Sequence, residues 1–199
     1  MPASPPENEH ALIEAARAGS LDAFNSLVTA YQDRVYTLAY RIMGDGAAAA
    51  DLAQDAFITA YRKLSTYRGG NFRSWLMRIT ANTCYDALRS NKRHPATSLE
   101  DLAPDSDDEY PLPDDAPTPE QAAERKEIAQ AIQSCISGLS PDQRIVLVLS
   151  DIEGMDYQAI ADEVNAALGT VKSRISRARA AMRDCLSAFR ELLPANYRL

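Results

Sequence analysis

Apolar residues recur at helical spacing through most of the chain. After Ser20 the positions Phe24, Leu27, Val28, Tyr31, Val35, Leu38 and Ala39 trace one face of a helix. Ser20 can cap that helix and Gly44-Asp45-Gly46 breaks it, so the pattern predicts a helix over 21–43. The same reading predicts a short helix over about 9–18 that Gly19 ends, a third over about 47–64 before Gly69-Gly70, and a fourth over about 72–91. Connections this short make the four antiparallel neighbours in a bundle.

Helical periodicity returns in the last third. Thr118-Pro119-Glu120-Gln121 and Ser140-Pro141-Asp142-Gln143 both have the form of a capping box with proline in the first turn. They open predicted helices over about 119–137 and 141–153. Asp156 caps another over about 157–165, and Gly169-Thr170 leads into a last helix that could run to Leu193, where Pro194 stops it. On the first helix of this closing pair Ile160, Ala161 and Val164 face inward, and Leu168 packs near the turn. On the second, Val171, Ile175, Ala178 and Met182 make one apolar stripe. Two short amphipathic helices joined by a tight turn have the form of a helix-turn-helix.

Between these halves the period is lost. From Pro95 to Pro119 the chain reads PATSLEDLAPDSDDEYPLPDDAPTP, with six prolines and a run of acids. Such a segment has little to bury and reads as an extended, flexible linker. It also explains the net charge of −7, which would otherwise argue against a nucleic-acid binder. Residues 99–127 carry 11 acidic and 2 basic groups, residues 1–98 carry 9 and 11, and residues 128–199 carry 8 of each. Charge must therefore be judged locally. With 46% hydrophobic and 25% charged residues and only 8 glycines, the expected fold is all-α. It consists of two small helical domains joined by an acidic, Pro-rich flexible linker. The divisions are a tail and first helix over 1–19, a bundle over 20–94, the linker over 95–118, a helix-turn-helix domain over 119–187 and an extension over 188–199.

Several compartments and chemistries fall away. No apolar run is long enough to span a bilayer, and the N-terminus has neither a basic start nor an apolar core, so a cytoplasmic protein is expected. Cys84, Cys135 and Cys185 are odd in number, far apart and without CxxC spacing. Buried free thiols are favoured over zinc ligands or a disulfide framework. Paired acids at metal-ligand spacing, a GKS/T phosphate loop and a supported Ser-His or Cys-His constellation are all missing. The expectation is a non-enzyme without cofactor or metal.

Three surfaces remain as candidates. Opposite the apolar stripe of the last helix stand Thr170, Lys172, Ser173, Ser176 and Arg177, and from Lys172 to Arg183 there are five basic residues and no acid. Short polar and cationic side chains on the leading turns suit a helix in the major groove; a solvated basic face is the plainer reading. From Arg62 to Arg93 eight basic residues meet one acid, Asp86, with Tyr67, Phe72, Trp75 and Tyr85 interleaved. Basic groups can track phosphates while aromatic faces hold unstacked bases, although Phe72 and Trp75 fit better as core residues. On the third helix Asp51, Gln54 and Asp55 flank an apolar stripe, as a solvated face or a docking face.

The stretches AADLAQDAFITAYRKLSTYRGGNFRSWLMRITANTCYDALRSNKR and LSPDQRIVLVLSDIEGMDYQAIADEVNAALGTVKSRISRARAAM resemble the second and fourth conserved regions of the extracytoplasmic-function sigma factors, the smallest members of the sigma-70 family. The likeness covers about 20–94 and 120–187. It implies that Asp51, Gln54, Asp55 and Phe57 dock on the clamp helices of the largest subunit of core RNA polymerase, with the flap region as a further contact. It implies that Asn82 helps capture a flipped base of the minus-ten promoter element, with Arg68, Asn71, Arg73 and Arg78 around the pocket. Thr170, Lys172, Ser173, Ser176 and Arg177 would read the minus-thirty-five element, with Arg174 and Arg179 nearby for phosphates. The linker resembles the segment that threads the polymerase cleft, and an anti-sigma factor is a candidate partner. The turn departs from the family pattern at Asn165 and Ala167, but asparagine tolerates a left-handed corner. The resemblance implies promoter recognition and melting; a stand-alone helix-turn-helix regulator is the rival reading.

Overall fold

The computed structural model describes residues 6, 8–93 and 119–189, and all of the regular structure among them is helical. The expected linker and most of the C-terminal extension lie outside the described residues. The chain divides into two compact units at Ser98/Leu99.

The first unit holds α1 (Glu9–Arg17), α2 (Leu21–Met43), α3 (Gly46–Lys63), a single 3₁₀ turn (Leu64–Thr66) and α4 (Phe72–Arg93). α2 is central and packs on the other three helices. Its inward stripe is the expected one: Leu27, Tyr31, Val35, Leu38, Ala39 and Ile42 are buried. α3 offers it a ladder of alanines, Ala49, Ala53, Ala56 and Ala60, all buried. Their small side chains let the helices approach closely. The break between α2 and α3 consists of two caps back to back. Gly44 takes the left-handed conformation (φ +76°) and its N–H donates to Tyr40 O at 2.7 Å, while Asp45 Oδ1 accepts from Ala48 N at 2.7 Å. Ser20 Oγ caps α2 as expected, accepting from Ala23 N at 3.2 Å. α1 is tied to the bundle by the Tyr31 hydroxyl, which donates to the Glu9 carboxylate. Burial, helped by that bond, pushes the Tyr31 phenol well above its ordinary pKa.

The second unit holds α5 (Pro119–Ser137), α6 (Pro141–Leu147), one wide turn of π helix (Val148–Ile152), α7 (Tyr157–Glu163) and α8 (Leu168–Ser187). Ile136, Ile145, Leu149, Ile160, Val171, Ile175 and Ala178 form its core. Asp156 Oδ1 caps α7 through Ala159 N at 2.9 Å. Several expectations are corrected here. The helix expected over 141–153 loses its regular ladder after Leu147, where the N–H of Glu153 reaches back to Val148 O. Ser140 stands at the N-cap of α6 without a side-chain capping bond, whereas Thr118 lies outside the described residues. α8 closes at Ser187, before Pro194 can act.

The cysteines also differ from expectation. Cys84 is a buried free thiol, but Cys135 and Cys185 are bonded to each other, with Cα atoms 5.8 Å apart. Packing of α5 on the far end of α8 brings together two residues 50 positions apart, a proximity that sequence spacing cannot show.

Candidate promoter- and polymerase-binding surfaces

The turn of the helix-turn-helix rests on Asn165, which takes φ +48°. Few residues other than glycine accept that corner, and asparagine is one of them. The turn delivers α8 with Val171, Ile175 and Ala178 buried, so its other face is committed to solvent. Thr170, Lys172, Ser173, Ser176 and Arg177 all lie exposed on that face. Three bonds organise it: Ser173 Oγ donates to Thr170 O at 2.9 Å, and Arg177 donates from Nε to Ser173 O at 3.2 Å and from Nη2 to Ser173 Oγ at 3.3 Å.

The other two candidate arginines are held differently. Arg174 Nη2 meets Asp142 Oδ2 of α6 at 2.9 Å. Arg179 grips Asp151 with both arms of its fork, Nε to Oδ2 at 2.9 Å and Nη2 to Oδ1 at 2.7 Å. That grip holds the Asp151 carboxyl below the usual range and raises Arg179 further. Both arginines therefore spend donors on tying α8 to the π turn and to α6.

In the first unit Tyr67, Arg68, Gly69, Gly70 and Asn71 form the loop that leads into α4. Gly69 and Gly70 take φ +89° and +94°, which a side chain would strain. The Tyr67 hydroxyl donates to Gly70 O at 2.7 Å and closes the loop on itself. Asn71 Oδ1 accepts from Ser74 N at 3.0 Å and caps α4. Tyr67, Phe72 and Trp75 form an aromatic cluster with ring centroids 5.4–5.5 Å apart. Phe72 is buried, as the core reading expected, and Trp75 only half-buried. Trp75, Arg78 and Asn82 follow at helical spacing on α4, all half-buried, with Arg68 exposed in the loop and Arg73 half-buried. Sequence reasoning missed the part played by α1. Glu9, His10, Glu14 and Arg17 line a hollow of about 360 Å³ together with Arg68, Gly69 and Gly70. Nothing in the spacing of α1 signalled that contact, because it depends on how α1 packs on the bundle.

On α3, Asp51, Gln54 and Asp55 are exposed one turn apart, with Phe57 half-buried. Two apolar residues missed from the sequence extend this surface, Ile58 (42% exposed) and Tyr61 (38%), and the latter ring packs 4.9 Å from Phe24. Exposed acids and amides beside uncovered apolar side chains suit a protein partner better than a purely solvated face.

The sigma-70 region 2 family matches residues 27–94, and the sigma-70 region 4 family matches residues 129–182. The RNA polymerase sigma-H factor of Pseudomonas aeruginosa is 38% identical over 184 residues, covering 90% of this chain and 94% of that one. This chain belongs to the sigma-70 family. The ECF sigma factor SigE of Mycolicibacterium smegmatis is also 38% identical, over 84% of this chain, which spans 63% of that protein's length. The ECF sigma-E factor of Escherichia coli (strain K12) is 33% identical over 87% of this chain and 92% of its own. Among solved structures, CnrH in complex with the cytosolic domain of CnrY is similar, with a TM-score of 0.60 and 25% identity over 92% of this chain and 99% of that one. In this ECF sigma factor, region 2 runs from within α2 to the end of α4, and region 4 from within α5 into α8. A stand-alone helix-turn-helix regulator is not favoured, because it accounts for region 4 alone.

Proposed function

We propose that this sigma factor works in the cytoplasm without catalytic activity of its own, seating on core RNA polymerase and directing it to promoters with separate minus-thirty-five and minus-ten elements. The domain divisions expected from the sequence then become working parts. The bundle over 20–94 takes the polymerase and the melting strand, the acidic segment over 95–118 connects, and 119–187 takes upstream duplex. Lys172, Ser173, Ser176 and Arg177 enter the major groove, with Thr170 at the leading end. Arg174 and Arg179 hold that helix in place, with only their remaining donors facing phosphates. Asp51, Gln54, Asp55 and Phe57 dock on the clamp helices, and the flap region meets region 4. Asn82 and Trp75 border the place where a flipped base is held, with Arg68, Asn71, Arg73 and Arg78 around it. Capture by binding alone needs no hydrolysis. An anti-sigma factor is a further candidate partner: the comparable CnrH structure is a complex with CnrY, and the RpoE of Bartonella quintana, 24% identical and alike in fold, was solved with the anti-sigma factor NepR.

The observation that carries this reading is the exposed face of α8, free of acids from Lys172 to Arg183, in a chain that also matches region 2. Transcription in vitro from a randomised promoter library tests it. Core polymerase with the factor should select templates sharing two spaced elements, and Asp55→Arg should remove core binding while leaving thermal stability unchanged. Tight sequence-specific DNA binding by the free factor, or no template selected by the holoenzyme, would refute it.

A further inference from the structure

α5 is weakly held. From Ala122 to Gln130 nearly every residue is exposed, and only its last two turns bury side chains, Ala131, Cys135 and Ile136. Its end is fixed by Arg144, whose guanidinium donates to Ser137 O and to Leu139 O at 3.2 Å. A second fixed point is the bond from Cys135 to Cys185 near the end of α8. Between these two helices lies an open apolar groove of about 380 Å³, walled by Ile132 and Ile136 on one side and Met182 and Arg183 on the other, with Leu147 and Ile152 also lining it. The disulfide thus joins the two walls.

A cytoplasmic protein is bathed in reduced glutathione, and a disulfide there is ordinarily transient. We propose that Cys135 and Cys185 are a reversible thiol–disulfide site, exchanging with small-molecule disulfides of the glutathione class, and that the bond locks α5 against α8 and so sets the shape of the groove. This rests on the cytoplasmic setting proposed above. Cys185 is half-buried and Cys135 is buried, so exchange starts at Cys185. On oxidation the Cys185 thiolate attacks oxidised glutathione, forming a mixed disulfide and releasing one glutathione thiolate. The Cys135 thiolate then attacks the Cys185 sulfur and releases the second. The two protons lost by the cysteines go to the two glutathione thiolates, so one oxidised glutathione becomes two reduced ones while the protein gains one bond. Reduction is the reverse. Cys84 takes no part, since burial pushes its thiol up to about 12.

The test equilibrates the full chain in glutathione buffers of increasing oxidised share, followed by differential alkylation, mass spectrometry and hydrogen exchange. The expected result is a reversible change from three alkylatable thiols to one in the denatured chain, with Cys135 and Cys185 recovered as a linked peptide pair. Amides over 131–138 should exchange at least tenfold faster in the reduced form. Cys185→Ser should match the reduced form in every buffer, and Cys84→Ser should respond like the wild type. A pair that stays reduced, or stays bonded under a large excess of reduced glutathione, overturns the proposal, as does equal exchange in both forms. Core polymerase binding is measured in parallel: its failure in both redox states would refute the sigma-factor mechanism while leaving the thiol result standing.

Discussion

Arg177 and Arg179 are two residues apart on one helix, and the family resemblance implies base reading for the first and phosphate contact for the second. Their surroundings in the fold differ further. Arg177 is exposed on the outer face, and its side-chain partner among the described residues is Ser173 one turn back. A groove-reading arginine is worth about 1–3 kcal/mol, so Arg177→Ala should weaken holoenzyme binding to a minus-thirty-five duplex roughly 5- to 140-fold. The unfolding temperature should barely move. Arg179→Ala removes a two-armed pair with Asp151 whose side chains are 49% and 31% exposed. Solvent screening keeps such a pair near the top of the surface range, about 1 kcal/mol. For a unit of this size that corresponds to about 4–8 °C in melting temperature, with promoter affinity reduced less than threefold. The pH dependence gives a second check. Asp151 is depressed in the folded protein, so its stabilising contribution is present above the unfolded carboxylate value of about 3.9 and fades as pH falls through the lower folded value. The difference between wild type and Arg179→Ala should therefore be full at neutral pH and shrink below about pH 4. Calorimetry and fluorescence anisotropy on both variants separate the two duties. If Arg179→Ala lost promoter affinity as severely as Arg177→Ala and kept its melting temperature, the assignment would be wrong.

Other predictions follow from single contacts. Asp156→Ala should cost about 1 kcal/mol by removing the α7 cap, while Ser140→Ala should cost only a few tenths, since Ser140 makes no such bond; chemical denaturation reads both. Asn165→Ala should destabilise the second unit by about 1–2 kcal/mol because alanine resists the left-handed corner, and Asn165→Gly should stay within about 1 kcal/mol of wild type; a destabilised glycine variant would mean that the side chain, not the corner, matters. Cys84 should resist iodoacetamide at pH 8 in the folded protein and react at once in denaturant; rapid labelling of the native form would contradict its burial and raised pKa.

What could be read from the chain was what local chemistry decides. α2 begins and ends where Ser20 and Gly44 require, and its apolar stripe is the buried one, because period and caps are properties of neighbouring residues. Asn165 was legible for the same reason. Several of the misses depend on residues distant in sequence. Cys135 meets Cys185, Arg179 meets Asp151 and Glu9 meets Tyr31 only after helices pack. The π turn over Val148–Ile152 is likewise invisible to a 3.6-residue period, which continues through it unbroken. On the candidate surfaces, residue types alone could not show that Arg174 and Arg179 are held by Asp142 and Asp151 while Arg177 bonds only within its own helix.

The Tyr67 hydroxyl bond to Gly70 has a consequence for recognition. Leaving such a loop loose would mean freezing its backbone at each encounter, at about 1–2 kcal/mol per residue. Here an aromatic ring from the preceding turn has already fixed the curve between the two glycines as the bundle folds. Whatever seats against that curve meets a finished shape, and the penalty of freezing it falls on folding, leaving contact energy available to discriminate one occupant from another.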